Sequence, residues 1–285
     1  MPELPEVETT CRGLAPWLVG ACIKNVQVRE RRMRWPLPRS FESDLTGQKI
    51  QSVSRRAKYV LIEMTDRTLM IHLGMSGSLR IVDPVVAPKR HDHVDLLLNS
   101  GHCIRFNDPR RFGSLHVVHG EVSQHALLAK LGPEPLSDVF SASFLHTHTR
   151  HRHVAIKMFI MNAAMVVGVG NIYASEALFR AGVHPAKTAG KLTMAECTRL
   201  VGSIKTVLSA AITAGGTTLR DYVNSDGHPG YFQQKLFVYG RSSEPCRRCQ
   251  TLIRHQVQGQ RTTFWCPTCQ PRTRHAIRPR TPSIT

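Results

Sequence analysis

Met1-Pro2-Glu3-Leu4-Pro5-Glu6-Val7-Glu8-Thr9 opens the chain, and it can be read in two ways. The plain reading is a helix start, with proline near the first turn and acids complementing the positive end of the helix dipole. The second reading is chemical. Removal of Met1 leaves Pro2 with a free secondary amine, and an α-amino group titrates near ~7.7–8.0, so part of it is neutral at cellular pH. A neutral amine can attack an electrophilic sugar carbon and collapse to an iminium ion. Glu3 beside it and Glu6 a helical turn later can move protons for that reaction. Both readings place Pro2 and Glu3 at the amino end of a helix, because Val7, Cys11, Leu14 and Leu18 recur at helical spacing over about 5–18.

Beyond that helix, short alternating runs follow to about residue 118. Examples are Ile23–Val28, Tyr59–Met64, Leu69–Leu73, Ser78–Val82, Val94–Leu98 and His102–Phe106, separated by turn signals such as Gly74-Met75-Ser76-Gly77. Many short strands predict a β-sandwich or flattened barrel. Leu131-Gly132-Pro133-Glu134-Pro135-Leu136 interrupts the pattern and reads as a connection. Helical texture then covers roughly 141–147, 150–165, 170–181 and 193–214, ending in Gly215-Gly216 as C-cap glycines. A polar loop runs from Thr217 to Tyr231 and leads to a short expected strand at Leu236–Tyr239. The fold class is therefore α+β, with domains expected at 1–131 and 150–235, a connection at 132–149, a metal-bound unit at 236–270 and a basic disordered tail at 271–285.

Thirty-eight Lys and Arg against twenty Asp and Glu give a net charge of +18 over 285 residues, which points to a polyanionic partner. No apolar run approaches the ~20 residues that span a bilayer. Glu3, Glu6 and Glu8 stand where a signal peptide carries basic and apolar residues, so a cytoplasmic protein is expected.

Cys246-Arg247-Arg248-Cys249 and Cys266-Pro267-Thr268-Cys269 carry the strongest local signal. Two C-x-x-C pairs at this separation fit one structural zinc closing a β-hairpin, with a redox disulfide as the alternative. Four thiolates leave no coordination position for a reacting water. Arg261 falls at the hairpin's tip, placed to reach a phosphate or a groove. The other four cysteines, Cys11, Cys22, Cys103 and Cys197, are scattered and read as small buried apolar residues.

Three further stretches carry chemistry. Val166-Val167-Gly168-Val169-Gly170-Asn171 precedes a helix whose free N–H groups could meet a phosphate. It lacks the lysine and hydroxyl of a nucleotide-binding loop, which excludes an NTPase. Asp108-Pro109-Arg110-Arg111-Phe112-Gly113 is a surface turn or, functionally, a wedge that enters a base stack. Lys58 is basic at the start of an apolar strand. His146-Thr147-His148-Thr149-Arg150-His151-Arg152-His153 reads as a solvated basic face at a helix start, since its arginines would repel a metal.

The nine opening residues, the turn His72 to Gly77, Asp108 to Gly113, Val167 to Glu176 and the cysteine pairs occur in one order. Together they resemble the bacterial formamidopyrimidine-DNA glycosylases (8-oxoguanine DNA glycosylases) over residues 1 to about 270. The resemblance implies a helix-plus-β-sandwich domain, a helix–two-turn–helix domain and a zinc finger. It also implies base excision repair of duplex DNA containing oxidised purines or abasic sites, followed by β,δ-elimination, by a monomer associated with the nucleoid. On it, Pro2 is the nucleophile, Glu3 the proton donor and Glu6 its support. Lys58 and Arg261 assist elimination. His72, His91, Lys157, Asn171 and Tyr239 contact DNA, while Met75, Arg110 and Phe112 fill the hole left by the everted base. Thr217, Leu219, Arg220, Asp221 and Tyr222 cap the lesion, and Cys246, Cys249, Cys266 and Cys269 hold one Zn2+. Likeness to the oxidised-pyrimidine sister family, endonuclease VIII, is poorer, because glycine usually stands there at the place of Leu4. A non-catalytic zinc-finger DNA-binding protein is the rival from another class. The histidine-rich run departs from the family, which is often lysine-rich there.

Overall fold

A computed structural model describes residues 2–216 and 236–272. Helix α1 (Leu4–Leu18) turns Val7, Cys11, Leu14 and Leu18 into the core, as the periodicity predicts. Strand β1 (Ile23–Val28) and the short α2 (Phe41–Leu45) follow. The remaining strands of this half are β2 (Ile50–Arg56), β3 (Tyr59–Met64), β4 (Arg67–His72), β5 (Ser78–Val82), β6 (Asp92–Leu98), β7 (Cys103–Asn107) and β8 (Ser114–His119). They form two four-stranded antiparallel sheets, ordered β1-β6-β7-β5 and β2-β3-β4-β8. One apolar core fills the space between them, with α1, Ile23, Phe41, Ile62, Leu69, Val94 and Phe106 among its members.

Two strands escape the sequence reading, β2 and β8. Ile50–Arg56 is rich in Ser, Arg and Gln, and only its first residue is buried. It is a strand because its backbone pairs with β3 from Ile50↔Met64 to Arg56↔Tyr59. Lys58 accordingly lies in the two-residue turn between these strands, not at the start of β3.

The second half contains α3 (Ala142–Thr149), α4 (Ile156–Ile160), α5 (Asn171–Ala181) and α6 (Met194–Thr213). α6 opens with a capping box between Thr193 and Glu196, and it ends at Ala214 before the positive-φ residues Gly215 and Gly216. The expected helix over 150–165 is mostly absent. Arg150 caps α3, His151 takes φ 60°, and only Ile156–Ile160 is helical. The histidine-rich run therefore begins in the last turn of α3 and passes through the turn after it, instead of starting a helix. Phe140 and Leu145, within the stretch expected as a connection, pack into the helical core.

Leu236–Tyr239 is not a strand. Its backbone N–H groups from Phe237, Val238 and Tyr239 donate to the buried Glu176 carboxylate at 2.8, 2.9 and 2.8 Å, which takes the place of sheet pairing. The hairpin of β9 (Arg254–Gln258) and β10 (Arg261–Trp265) turns through Gly259 and Gln260, both at positive φ. The lesion-capping residues Thr217, Leu219, Arg220, Asp221 and Tyr222, and the tail beyond residue 272, lie outside the described residues.

Candidate active site

The amino end of α1 meets the amino end of α5, and the sequence of each end explains the fit. Glu3 is 2% exposed, and its carboxylate accepts N–H groups from Gly170 at 2.8 Å, Ile172 at 3.0 Å and Tyr173 at 3.4 Å. These are orphan donors of the first turn of α5, where the helix dipole favours negative charge. The expectation that this helix end offers free N–H groups to a phosphate is thus overturned: a carboxylate of the same chain fills it. Glycine is required at 170 for this reason, since a Cβ there would lie 2.1 Å from Glu3 Cδ. At Gly168, φ +77°, a Cβ would lie 2.5 Å from the Leu4 side chain, and the Leu4 N–H donates to the Gly168 carbonyl at 3.2 Å. Pro2, immediately before Glu3, is buried at this junction.

Glu6 completes the seat. Its carboxylate accepts the Glu3 N–H at 2.8 Å and the Tyr173 hydroxyl at 2.6 Å. Tyr173 is a site residue that sequence reading missed, although it stands inside the quoted glycine-to-helix stretch.

Two lysines approach the same carboxylates. Burial pushes Lys58 below the ordinary ammonium range, and the Arg261 charge acts in the same direction against Glu3 and Glu6. Lys157 is lowered to about 8, again mainly by burial, with Arg261 adding to it and Glu3 opposing. Its ammonium donates to Asn171 Oδ1 and, at 2.8 Å, to Thr263 Oγ1 of β10. Asn171 in turn donates to the Thr262 carbonyl at 3.2 Å and hydrogen-bonds Tyr239. Arg261, exposed at the hairpin tip, projects its charge onto the group. Seven predicted residues are therefore together: Glu3, Glu6, Lys58, Lys157, Asn171, Tyr239 and Arg261.

Lys58 is held from a distance. Its turn neighbour Ala57 adopts φ 54°, a conformation non-glycine residues rarely take. Glu134, from the Gly132-Pro133-Glu134-Pro135 stretch, accepts the Ala57 N–H at 2.8 Å and pairs with Arg55 and Arg56 at 2.7 and 2.8 Å. Sequence reading took Glu134 for part of a connection; it is the brace of the Lys58 turn.

A second group lies on the β half. Met75 and Phe112 are 38% and 43% exposed, large apolar side chains on turns anchored by the buried Gly74, Ser76, Asp108 and Gly113. The Arg110 guanidinium sits 4.7 Å above the Phe112 ring. His91 belongs to this group through its carbonyl, which accepts the Asp108 N–H at 3.0 Å. His72 joins the two groups. Its Nδ1 accepts the Gly74 N–H at 3.0 Å, and burial, with the Lys58 and Arg34 charges, lowers it to about 4. It is a neutral imidazole at cellular pH, a hydrogen-bonding group and not a cation.

The four paired cysteines converge, with Sγ atoms within 4.8 Å of one another and pairs at 3.4, 3.5 and 3.9 Å. Four thiolates about 2.3 Å from a tetrahedral zinc stand about 3.8 Å apart, so the cluster fits one structural zinc. Cys11, Cys103 and Cys197 are buried as expected, and burial raises Cys11 to about 12. Among the described residues no helix is long and apolar enough to cross a membrane.

Comparison with known proteins agrees with this arrangement. Family models for the formamidopyrimidine-DNA glycosylase N-terminal domain, its H2TH domain and the zinc finger found in FPG and IleRS match residues 1–115, 131–223 and 243–272. The formamidopyrimidine-DNA glycosylase of Thioalkalivibrio sulfidiphilus is 56% identical over 270 residues, covering 95% of this chain and 100% of that one. The crystal structure of the MutM (Fpg) protein of Thermus thermophilus superposes with a TM-score of 0.85 at 38% identity, covering 94% of this chain and 98% of the other. A Lactococcus lactis FPG mutant in complex with Fapy-dG-containing DNA gives 0.89 at 33% identity, covering 95% and 100%.

Proposed function

The chain belongs to the formamidopyrimidine-DNA glycosylase family, and we propose that, as a DNA glycosylase for oxidised purines in base excision repair, it works through Pro2 at the α1–α5 junction. The observation that carries this reading is the seat of Glu3 on the Gly170, Ile172 and Tyr173 N–H groups, which fixes the carboxylate beside Pro2.

Once Met1 is removed, the Pro2 amine is free. Its lone pair forms a bond to C1′ of the damaged nucleotide while the C1′–N bond to the base breaks, its electron pair leaving with the base. The Pro2 N–H proton passes to the departing base; Glu3 then protonates O4′ as the C1′–O4′ bond breaks, and the nitrogen lone pair closes the iminium ion on Pro2. The iminium acidifies the C2′ proton. A base removes it, and the 3′ phosphate departs by β-elimination; the 5′ phosphate follows by δ-elimination. Lys58, whose charged form burial disfavours, is suited to accept such a proton, and Arg261 is suited to hold the departing phosphate.

Lys157, Asn171 and Tyr239 are one hydrogen-bonded group, and we assign them to the backbone of the everted nucleotide. His91 and His72 border the strand at the other group. Met75, Arg110 and Phe112 enter the vacated stack, with Arg110 on the orphaned cytosine and Phe112 wedged into the step. Zinc holds the hairpin that carries Arg261, Thr262 and Thr263. We divide the chain into a β half, a helical half and a zinc finger, acting on DNA in the nucleoid.

The experiment is borohydride trapping on duplex DNA carrying 8-oxoguanine. Protein beginning at Pro2 should give a covalent adduct. An uncleaved N-terminal extension, which makes the amine an amide, should abolish both adduct and strand cleavage; normal turnover with the extension in place would overturn the assignment.

A further inference from the structure

The turn that carries Met75 and the turn that carries Arg110 and Phe112 are far apart in sequence, yet they are built as one unit. Asp108 is fully buried at their junction. Its Oδ2 accepts the Gly113 N–H at 2.7 Å. Its Oδ1 accepts the Ser76 hydroxyl at 3.2 Å and the Arg110 N–H at 3.3 Å. The Asp108 carbonyl takes the Arg111 N–H at 3.2 Å and contacts His93 Nε2 at 2.8 Å.

The backbones are in direct contact as well. A Cβ on Gly74 would lie 2.5 Å from both the Gly113 nitrogen and the Phe112 carbonyl carbon, and one on Gly113 would lie 2.8 Å from the His72 carbonyl oxygen. Arg111, at φ 54°, holds the tip of the second turn in a sparsely populated conformation. Such a turn persists only where its surroundings fix it. The surroundings here include a hydroxyl from the other turn.

We propose that Ser76 is a positioning residue for opposite-base reading: through Asp108 Oδ1 it fixes the backbone of Arg110 and couples Met75 to Arg110 and Phe112 as a single insertion unit. This rests on the function proposed above. A bidentate contact between Arg110 and an orphaned cytosine depends on where the guanidinium starts, and that is set by the same carboxylate oxygen that Ser76 satisfies. Removing the hydroxyl leaves a buried carboxylate oxygen with one long N–H contact, and the turn must shift to find another donor.

The test is single-turnover excision of 8-oxoguanine opposite cytosine and opposite adenine by wild type, Ser76→Ala and Ser76→Thr. Ser76→Ala should compress the cytosine-to-adenine ratio on the order of fivefold, part of the tenfold or more that one bidentate contact supplies. Ser76→Thr, which keeps the hydroxyl, should restore most of it. Borohydride trapping on a single-stranded abasic oligonucleotide has no opposite base to read, so it should stay within about twofold in all three proteins. In a double-mutant cycle, Met75→Ala and Phe112→Ala should combine less than multiplicatively with Ser76 present and multiplicatively in the Ser76→Ala background. An unchanged ratio in Ser76→Ala overturns the proposal, as does an equal loss in the alanine and threonine variants, which would mean packing and not the hydroxyl. Loss of single-strand trapping by the wild type would instead sink the Pro2 assignment.

Discussion

The α1–α5 junction and the paired turns around Asp108 are both built on buried carboxylates that collect backbone N–H groups, but they draw their donors from different places. Glu3 takes its donors from Gly170, Ile172 and Tyr173 in the helical half, so the geometry beside Pro2 exists only when that half is docked on α1. Asp108 collects Ser76, Arg110 and Gly113 from within the β half. On the proposed function, chemistry on the sugar would depend on the association of two halves, whereas insertion into the base stack would be a property of one. Perturbations should separate accordingly.

The largest separation is expected from Gly170→Ala. Its φ of −106° is open to alanine, so the nearest conflict is that of the new Cβ with the Glu3 carboxyl group. Displacing a reacting group by about an ångström costs on the order of a hundredfold. Trapping on single-stranded abasic DNA should fall by about that factor, measured by the yield of borohydride adduct, while the cytosine-to-adenine excision ratio on duplexes is kept. Loss of the ratio with trapping intact would mean that the two regions are not independent in this way.

On the other side, Phe112→Ala should slow duplex excision about tenfold opposite cytosine and adenine alike, since a wedge assists eversion without reading the partner base. Arg110→Ala should instead compress the ratio by up to about tenfold. Both variants should trap normally on single strands. If Phe112→Ala alters the ratio and Arg110→Ala does not, the two roles are exchanged.

The smallest expected effect lies at His72, where the regions meet. Its folded value of about 4 is below the ordinary imidazole value of 6.5. The unfolded chain therefore binds a proton that the folded one refuses, and stability contributed at pH 7 is lost as pH falls below about 6.5. Between pH 7.5 and 5.5 this amounts to roughly 1 kcal/mol. Denaturant unfolding of His72→Gln should show an acid loss smaller by that amount. An identical acid loss in both proteins would place the titration elsewhere.

Much of this was legible in the sequence, for identifiable reasons. Val7, Cys11, Leu14 and Leu18 announce α1 because their spacing is the helix period, and the cysteine pairs announce the zinc hairpin because ligand spacing is local. Strand β2 was hidden because its side chains do not alternate; backbone pairing with β3 alone makes it a strand. Leu236–Tyr239 has strand composition, but the Glu176 carboxylate takes its N–H groups. The role of Glu3 in closing α5 was illegible for a related reason. Glycines before a helix look like a phosphate loop from sequence, and nothing local records that an acid 167 residues away occupies the site. Site membership was easier to read than site geometry, because residue types carry chemistry while distant pairings carry position.

The central claim is that the amine of Pro2, fixed by Glu3 in the amino end of α5, forms the covalent bond to DNA. Lys58 and Lys157 are the nearby competing amines, since burial disfavours the charged form of both. The direct test is to trap wild-type protein on abasic-site DNA with borohydride, digest the adduct and locate the modified peptide by mass spectrometry. The added mass is expected on the N-terminal peptide beginning at Pro2. An adduct on Lys58 or Lys157, with Pro2 unmodified, would contradict it.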